Sequence, residues 1–169
     1  MRRALVVALL LTGCVSAEPP VEPTSLAPIP FTLDAGGIQP AGTDLRIDFG
    51  RAQAGVIETV DRLQGGALIE VATQGNCGAG PVTAAQWADG LVLNFQDGDF
   101  RGWVATDAGG PLVTNTGLAI GTLRSDIPAA VFTETSLGTE FQTAGVFGLL
   151  DDSGDQVAFL WSGLTCFFR

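Results

Sequence analysis

The groups able to do chemistry in this 169-residue chain are few in kind: three thiols, 18 carboxylates and eight guanidinium groups, with no His, no Lys and no Tyr. That repertoire excludes most common active sites. A serine or cysteine nucleophile has no imidazole to take its proton, and zinc has no histidine ligand. A phosphate-binding loop has no lysine, and no lysine amine is present to form a Schiff base. The formal charge of -10 works against nucleic acid, whose phosphates need clustered cations. What remains is carboxylate acid–base work, cation binding through oxygen and thiol chemistry.

The carboxylates come in two clusters. Asp97 and Asp99 flank Gly98, and Asp151, Asp152 and Asp155 surround Ser153-Gly154. Calcium takes such ligands, but neither run has the alternate acids and terminal Glu of a calcium loop, and Asp with Gly is what hairpin turns demand. Both clusters are therefore expected to be turns, with no metal. A glycosidase-like pair would have to come from Glu58, Glu70, Glu134 and Glu140, and nothing in the sequence brings two of them together. No catalytic residue and no cofactor are assigned. Arg46, between Asp44 and Asp48, is expected to stand in a charge ladder on the solvent face of its strand. Trp87, Trp103 and Trp161 are expected to pack in the core; exposed on a sheet face, they would be contacts for a glycan or a partner.

The elements that must position these groups read as strands with two helical interludes. Leu45, Ile47 and Phe49 alternate with charged residues, as in a half-buried strand. From Arg51 to Leu63 the spacing becomes helical, with Ala52, Val56, Val60 and Leu63 on one face, and Gly65-Gly66 stops it. Strands are predicted at 67–73, 83–87, 91–95 and 100–105, with turns at Asp89-Gly90 and Asp97-Gly98, because tight primed turns need positive φ. A second short helix is predicted from Thr122 to Ile127, cut by Pro128. Further strands are predicted at 140–143, 145–150 and 156–162, with Cys166-Phe167-Phe168 as an edge strand. The expected fold is α+β: an antiparallel sheet with two short helices, arranged as a tandem helix-plus-three-strand repeat. Strands of about six residues and the absence of Tyr argue against an outer-membrane barrel, whose strands run about 9 to 11 residues between aromatic girdles.

The N-terminus carries the strongest pattern. Arg2 and Arg3 precede an apolar run from Ala4 to Leu11, too short to span a bilayer, and Leu11-Thr12-Gly13-Cys14 follows. This resembles the signal peptide and lipobox of bacterial lipoproteins. The resemblance implies cleavage after residue 13 and acylation of Cys14. Ordinary secretion is the alternative, with Val15-Ser16-Ala17 as the cleavage site. Val15, where a retained lipoprotein usually has Asp, implies the outer membrane rather than the inner, facing the periplasm. Residues 14–30 hold five prolines and read as an extended tether, leaving 31–169 as one acidic domain. With Cys14 lipidated, Cys77 and Cys166 are the two thiols left, and in an oxidising compartment they are expected to pair. Without residues 1–13, 18 acids face six Arg, a formal charge of -12.

Two weaker resemblances concern the folded part. The element order over 44–162 is similar to the helix-plus-three-strand repeat of beta-lactamase inhibitor protein-like domains and to the small lipoprotein of the outer-membrane assembly machine. Cys77-Gly78-Ala79-Gly80-Pro81, Trp87-Ala88-Asp89-Gly90-Leu91 and the ending Cys166-Phe167-Phe168-Arg169 look like uncharacterised alphaproteobacterial lipoproteins. Neither implies an activity. The expectation is a non-catalytic binding or structural protein, held to the membrane by its N-terminal lipid, with another envelope protein as partner. The alternatives are a glycan-binding module and a minor carboxylate hydrolase.

Overall fold

The computed structural model describes residues 27–106, 110 and 112–167. Cys14 and most of the expected tether lie outside these residues, as do Phe168 and Arg169. The described chain opens with a hairpin, β1 (Phe31–Asp34) and β2 (Gly37–Pro40), to which the two-residue β3 (Ile47–Asp48) adds a third strand. Helix α1 (Gln53–Leu63) follows. The next four strands are a meander: β4 (Leu68–Gln74), β5 (Val82–Trp87), β6 (Leu91–Gln96) and β7 (Asp99–Thr106). After a crossover comes a second meander: β8 (Val131–Thr135), β9 (Gly138–Thr143), β10 (Val146–Leu150) and β11 (Val157–Gly163). The two meanders form one antiparallel sheet, ordered β4-β5-β6-β7-β11-β10-β9-β8. The sheet is open, with β4 and β8 as its edges.

The expected α+β class with two helices is corrected by these elements. Of the described residues 48% are strand and 10% helical, so the fold is mostly β, with one α-helix. In place of the second helix, Arg124–Asp126 makes a lone 3-10 turn. Pro128 disfavours helical backbone at Ile127, so too few residues remain for an α-helix. Each half contains four strands rather than three: the first meander has the four strands already expected at 67–105, and in the second Val131–Thr135 pairs with β9 as an unexpected edge strand. The strand expected around Leu45 is shortened to Ile47–Asp48: the Thr43 hydroxyl accepts the Leu45 N–H at 3.1 Å and turns the chain, leaving Leu45 78% exposed. Cys166 and Phe167 follow β11 outside any strand.

Where the local signals are strong, sequence and structure agree. Val56, Val60 and Leu63 are the buried face of α1, and Gly65 and Gly66 follow with positive φ. Asp97 and Gly98 both have positive φ, as a primed hairpin turn requires.

The main core lies on one face of the large sheet. Trp87, Leu93, Phe95 and Phe100 from the first meander, Trp103 from β7 and Leu160 from β11 pack there against Leu33 and Ile38, α1 and crossover residues Leu118 and Ile127. The opposite face is covered at the sheet's centre by the C-terminal segment. The Leu164 N–H donates to the Arg101 carbonyl at 2.9 Å, and the buried Asn94 side chain donates to the Leu164 carbonyl at 2.9 Å. Gly102 is required here, since a Cβ on it would meet the Leu164 backbone.

Gly102→Ala is therefore expected to destabilise the oxidised protein by about 1–3 kcal/mol in urea denaturation. Gly75→Ala, where a Cβ meets nothing within 4 Å, is expected to stay within about 0.5 kcal/mol of wild type.

Candidate functional site

The three tryptophans are buried: Trp87 and Trp103 are 0% exposed and Trp161 is 4% exposed. Their indoles serve the fold. Trp87 Nε1–H donates to the Asp61 carboxylate at 3.3 Å, and Trp103 Nε1–H donates to the Asp34 carbonyl at 2.7 Å. Trp161 stacks on Phe147 at 6.0 Å and takes the edge of Phe167 at 5.2 Å. None of the three presents a face on which a sugar ring could stack.

Several carboxylates are equally committed. Thr135 Oγ1–H donates to buried Glu140 at 2.9 Å, and Thr139 Oγ1–H donates to Glu134 at 2.8 Å. The β8–β9 register pairs Glu140 with Thr133 and Glu134 with Thr139, so the pleat puts these two Glu on opposite faces. Glu70 sits on β4, at the other edge of the sheet, and Glu58 on α1 pairs with Arg62 at 3.8 Å. The structure brings no two of these four together. Asp151 organises its loop by accepting from Ser153 Oγ at 2.7 Å and from the Asp155 and Gln156 N–H groups. The Ser153 hydroxyl and then these N–H groups hold its carboxyl below the usual range. Among the described residues no group of three or more His, Cys, Asp and Glu is placed to hold a metal ion.

Arg46 departs most from its expected place. It is half-buried, and its guanidinium grips Asp34 with two nitrogens, at 2.7 and 2.9 Å, while Nε–H donates to Asp48 at 3.0 Å. It thus binds the β1–β2 turn to β3. The Arg46 hydrogen bonds, assisted by the Gly36 N–H, hold the Asp34 carboxyl below its ordinary value, and the same contacts raise the Arg46 pKa. Sequence adjacency suggested Asp44 and Asp48 as neighbours. The true chelating partner lies 12 residues away, across a hairpin.

Cys77 and Cys166 are joined by a disulfide across 89 residues, with Cα atoms 5.3 Å apart. The bond ties the C-terminal segment to the β4–β5 loop.

A groove of about 530 Å³ runs between α1 and the 40–47 segment. Its helix side carries Gly55, Val56, Thr59 and Leu63, with Ala52 just before the helix. Its other wall is Leu45, and Arg46 and Arg51 lie along it. Arg62 and Arg101 pair with carboxylates, and Arg124 lies 4.3 Å over the Phe132 ring. Arg51 is exposed, and its guanidinium has no such partner among the described residues. The helix also starts without a side-chain cap, at Ala52, and without an acid in its first turn. Sequence patterning missed this region because it placed Leu45 in the core and treated Ala52 as core-facing. A second groove of about 610 Å³, with Ile29, Leu63 and Leu112 in its lining, lies at the far end of α1. No protein-family model, curated protein or solved structure matches the chain.

Two stability experiments follow. Asp34→Asn is expected to cost about 1.5–3 kcal/mol at neutral pH, the range for hydrogen bonds to a charged group. A lowered folded-state pKa gives stability that is present above the ordinary carboxylate value, about 3.9, and lost as pH falls through the folded value. Urea titrations from pH 7 to 2 should therefore show a shallower acid limb in the variant. Reducing the disulfide should lower stability by about 4–5 kcal/mol in the chain-entropy account, read as the difference in denaturation midpoint with and without reductant.

Proposed function

We propose that the chain is a lipid-anchored, periplasm-facing envelope protein that binds a protein partner and catalyses nothing. The observation that carries this is the assignment of its thiols. Cys77 and Cys166 form a bond that suits an oxidising compartment, and the one cysteine left over sits in Leu11-Thr12-Gly13-Cys14. Acyl chains on Cys14 would contribute about 0.8 kcal/mol per buried methylene, enough for stable anchoring when several are present. An acidic body repels anionic headgroups, which suits a domain held away from the bilayer by a proline-rich tether. The outer membrane is the preferred location, from Val15.

The non-catalytic part is supported by what the polar groups do. Asp34, Arg46, Asp48, Asp61 and Glu140 are tied into contacts that hold strands and turns together. The groove beside α1 supplies apolar surface and one uncommitted charge, which suits recognition rather than bond making.

Labelled palmitate should enter the wild type and not Cys14→Ser; equal labelling of both would sink the anchor. The partner is sought by photo-crosslinking, because without lysine the folded domain offers no side-chain amine to ordinary crosslinkers. A photoreactive residue at Thr59, at Ala72 on β4 or at Thr133 on β8 should give a discrete adduct in the envelope at one or more of these sites. No adduct at any of them would refute the binding role.

A further inference from the structure

We propose that the groove between α1 and the 40–47 segment is a docking site for an acidic segment of the partner protein, one that carries a large apolar side chain. This rests on the reading of the chain as an anchored binding protein and names the chemistry of what it binds.

The charge of the groove sets the sign of the occupant. The chain carries -10 overall, yet no Asp or Glu lines this groove and two Arg do. Arg46 is neutralised by Asp34 and Asp48, whereas Arg51 is not. The amino end of α1, without a side-chain cap or an acid in its first turn, adds to the positive potential there. A carboxylate meeting the Arg51 guanidinium would make a charge-assisted, two-pronged contact.

Local choices that disfavour the isolated chain converge on the same place. A cation stands at the positive end of a helix dipole. Gly55 stands in the first turn of the helix, where alanine would be the better helix former, yet its φ is not positive and a Cβ there would meet nothing within 4 Å. Leu45 is a large apolar side chain 78% exposed. Among the described residues nothing compensates for these three choices, and departures from local consistency of this kind mark functional surfaces.

The shape favours a polypeptide over an acyl chain. Leu45 stands open to water, so a hydrocarbon laid beside it would stay half solvated. Ala52 and Gly55 let a main chain approach α1 closely, leaving one apolar side chain to cover Leu45 and one carboxylate to reach Arg51.

The test selects a displayed library of random short peptides on the purified full-length chain with its disulfide intact. Selected peptides should combine Asp or Glu with Leu, Phe or Trp. Arg51→Glu should weaken them by at least about tenfold, a factor that corresponds to about 1.4 kcal/mol, and Leu45→Ser by a similar factor. Arg51→Glu places an acid at the helix start and should not lower the melting temperature, so its effect is not unfolding. Gly55→Ala should raise the melting temperature and yet weaken the peptides, which a purely structural role for Gly55 would not produce. No enrichment, enrichment of basic or uncharged peptides, or binding indifferent to Arg51→Glu would overturn the proposal. So would binding to phosphatidylglycerol vesicles that Arg51→Glu abolishes while no peptide is enriched, because the occupant would then be a lipid headgroup. Photo-adducts at Ala72 or Thr133 with none at Thr59 would overturn the groove and leave the anchored binding protein standing.

Discussion

The junction of β7 with β11 is the interaction on which the rest of the structure depends. Each meander is locally self-sufficient, since its strands pair with neighbours in sequence. Among the described residues the two meanders are paired strand to strand along one register, from Phe159–Thr106 to Gly163–Gly102. A two-meander sheet joined along one seam would shear unless both faces of that seam were held. On the core face the β1–β2 turn does this with two backbone carbonyls. Asp34 accepts from Trp103 Nε1–H on β7, and Ala35 accepts from Ser162 Oγ–H on β11 at 3.0 Å. One turn therefore grips one strand from each half. Arg46 matters because it fixes that turn: its grip on Asp34, with the 2.8 Å bond from the Gly36 N–H to the same carboxylate, holds the two carbonyls in place.

The other face of the seam is held by the chain's own end. Leu164 bonds to β7 through its N–H and to β6 through its carbonyl, and the disulfide carries the segment on to the β4–β5 loop. A strap of this kind has few hydrogen bonds and so little independent stability. A covalent tie at its far end holds Phe167 against Trp161 in an oxidising environment and makes that coverage dependent on the thiol state elsewhere. The two glycines at the crossing, Gly102 and Gly163, belong to the same device, since a Cβ on either would meet the backbone passing beside it.

How much of this was legible in the sequence follows from the range of the forces involved. Helix α1 was legible because Val56, Val60 and Leu63 carry its burial pattern within one element. The β5–β6 and β6–β7 hairpins were legible because Asp-Gly marks a turn that needs positive φ, as Gly90 and Gly98 show. The β1–β2 hairpin was not: its strands are four residues each, they lie between prolines, and what orders them is an indole 69 residues away. The edge strand β8 was missed because it alternates poorly, with Val131 69% exposed. The second helix was over-read from spacing that Pro128 cut short. At the candidate site the right residues were assigned to the wrong environments. Alternation sent Leu45 inward and Arg46 outward, whereas Arg46 binds the carboxylates of Asp34 and Asp48 and Leu45 is turned out by the Thr43 hydroxyl. Periodicity reports which residues share a face; it does not report which face a short strand, bent by a side-chain bond, finally buries.

Scarcity of cations links the fold to the proposed recognition. A chain without lysine has only arginine to set against its carboxylates, and most described arginines are already engaged. Arg46 locks the core turn, Arg62 and Arg101 pair with acids on their own elements, and Arg124 lies over Phe132. Arg51 follows β3 by three residues and precedes α1, where its backbone is fixed on both sides: the Arg51 carbonyl accepts from the Phe100 N–H at 2.8 Å, and the Gln53 N–H donates to the Gly98 carbonyl at 2.8 Å. The backbone at this position is thus rigid while the side chain is free. A free guanidinium on a fixed base is preorganised in the direction it projects and loses little entropy beyond its own rotamers on meeting a carboxylate. In a molecule this acidic, such a charge attracts what the rest of the surface repels. An acidic segment would therefore find one orientation favoured over all others, with its carboxylate at Arg51 and its apolar side chain over Leu45.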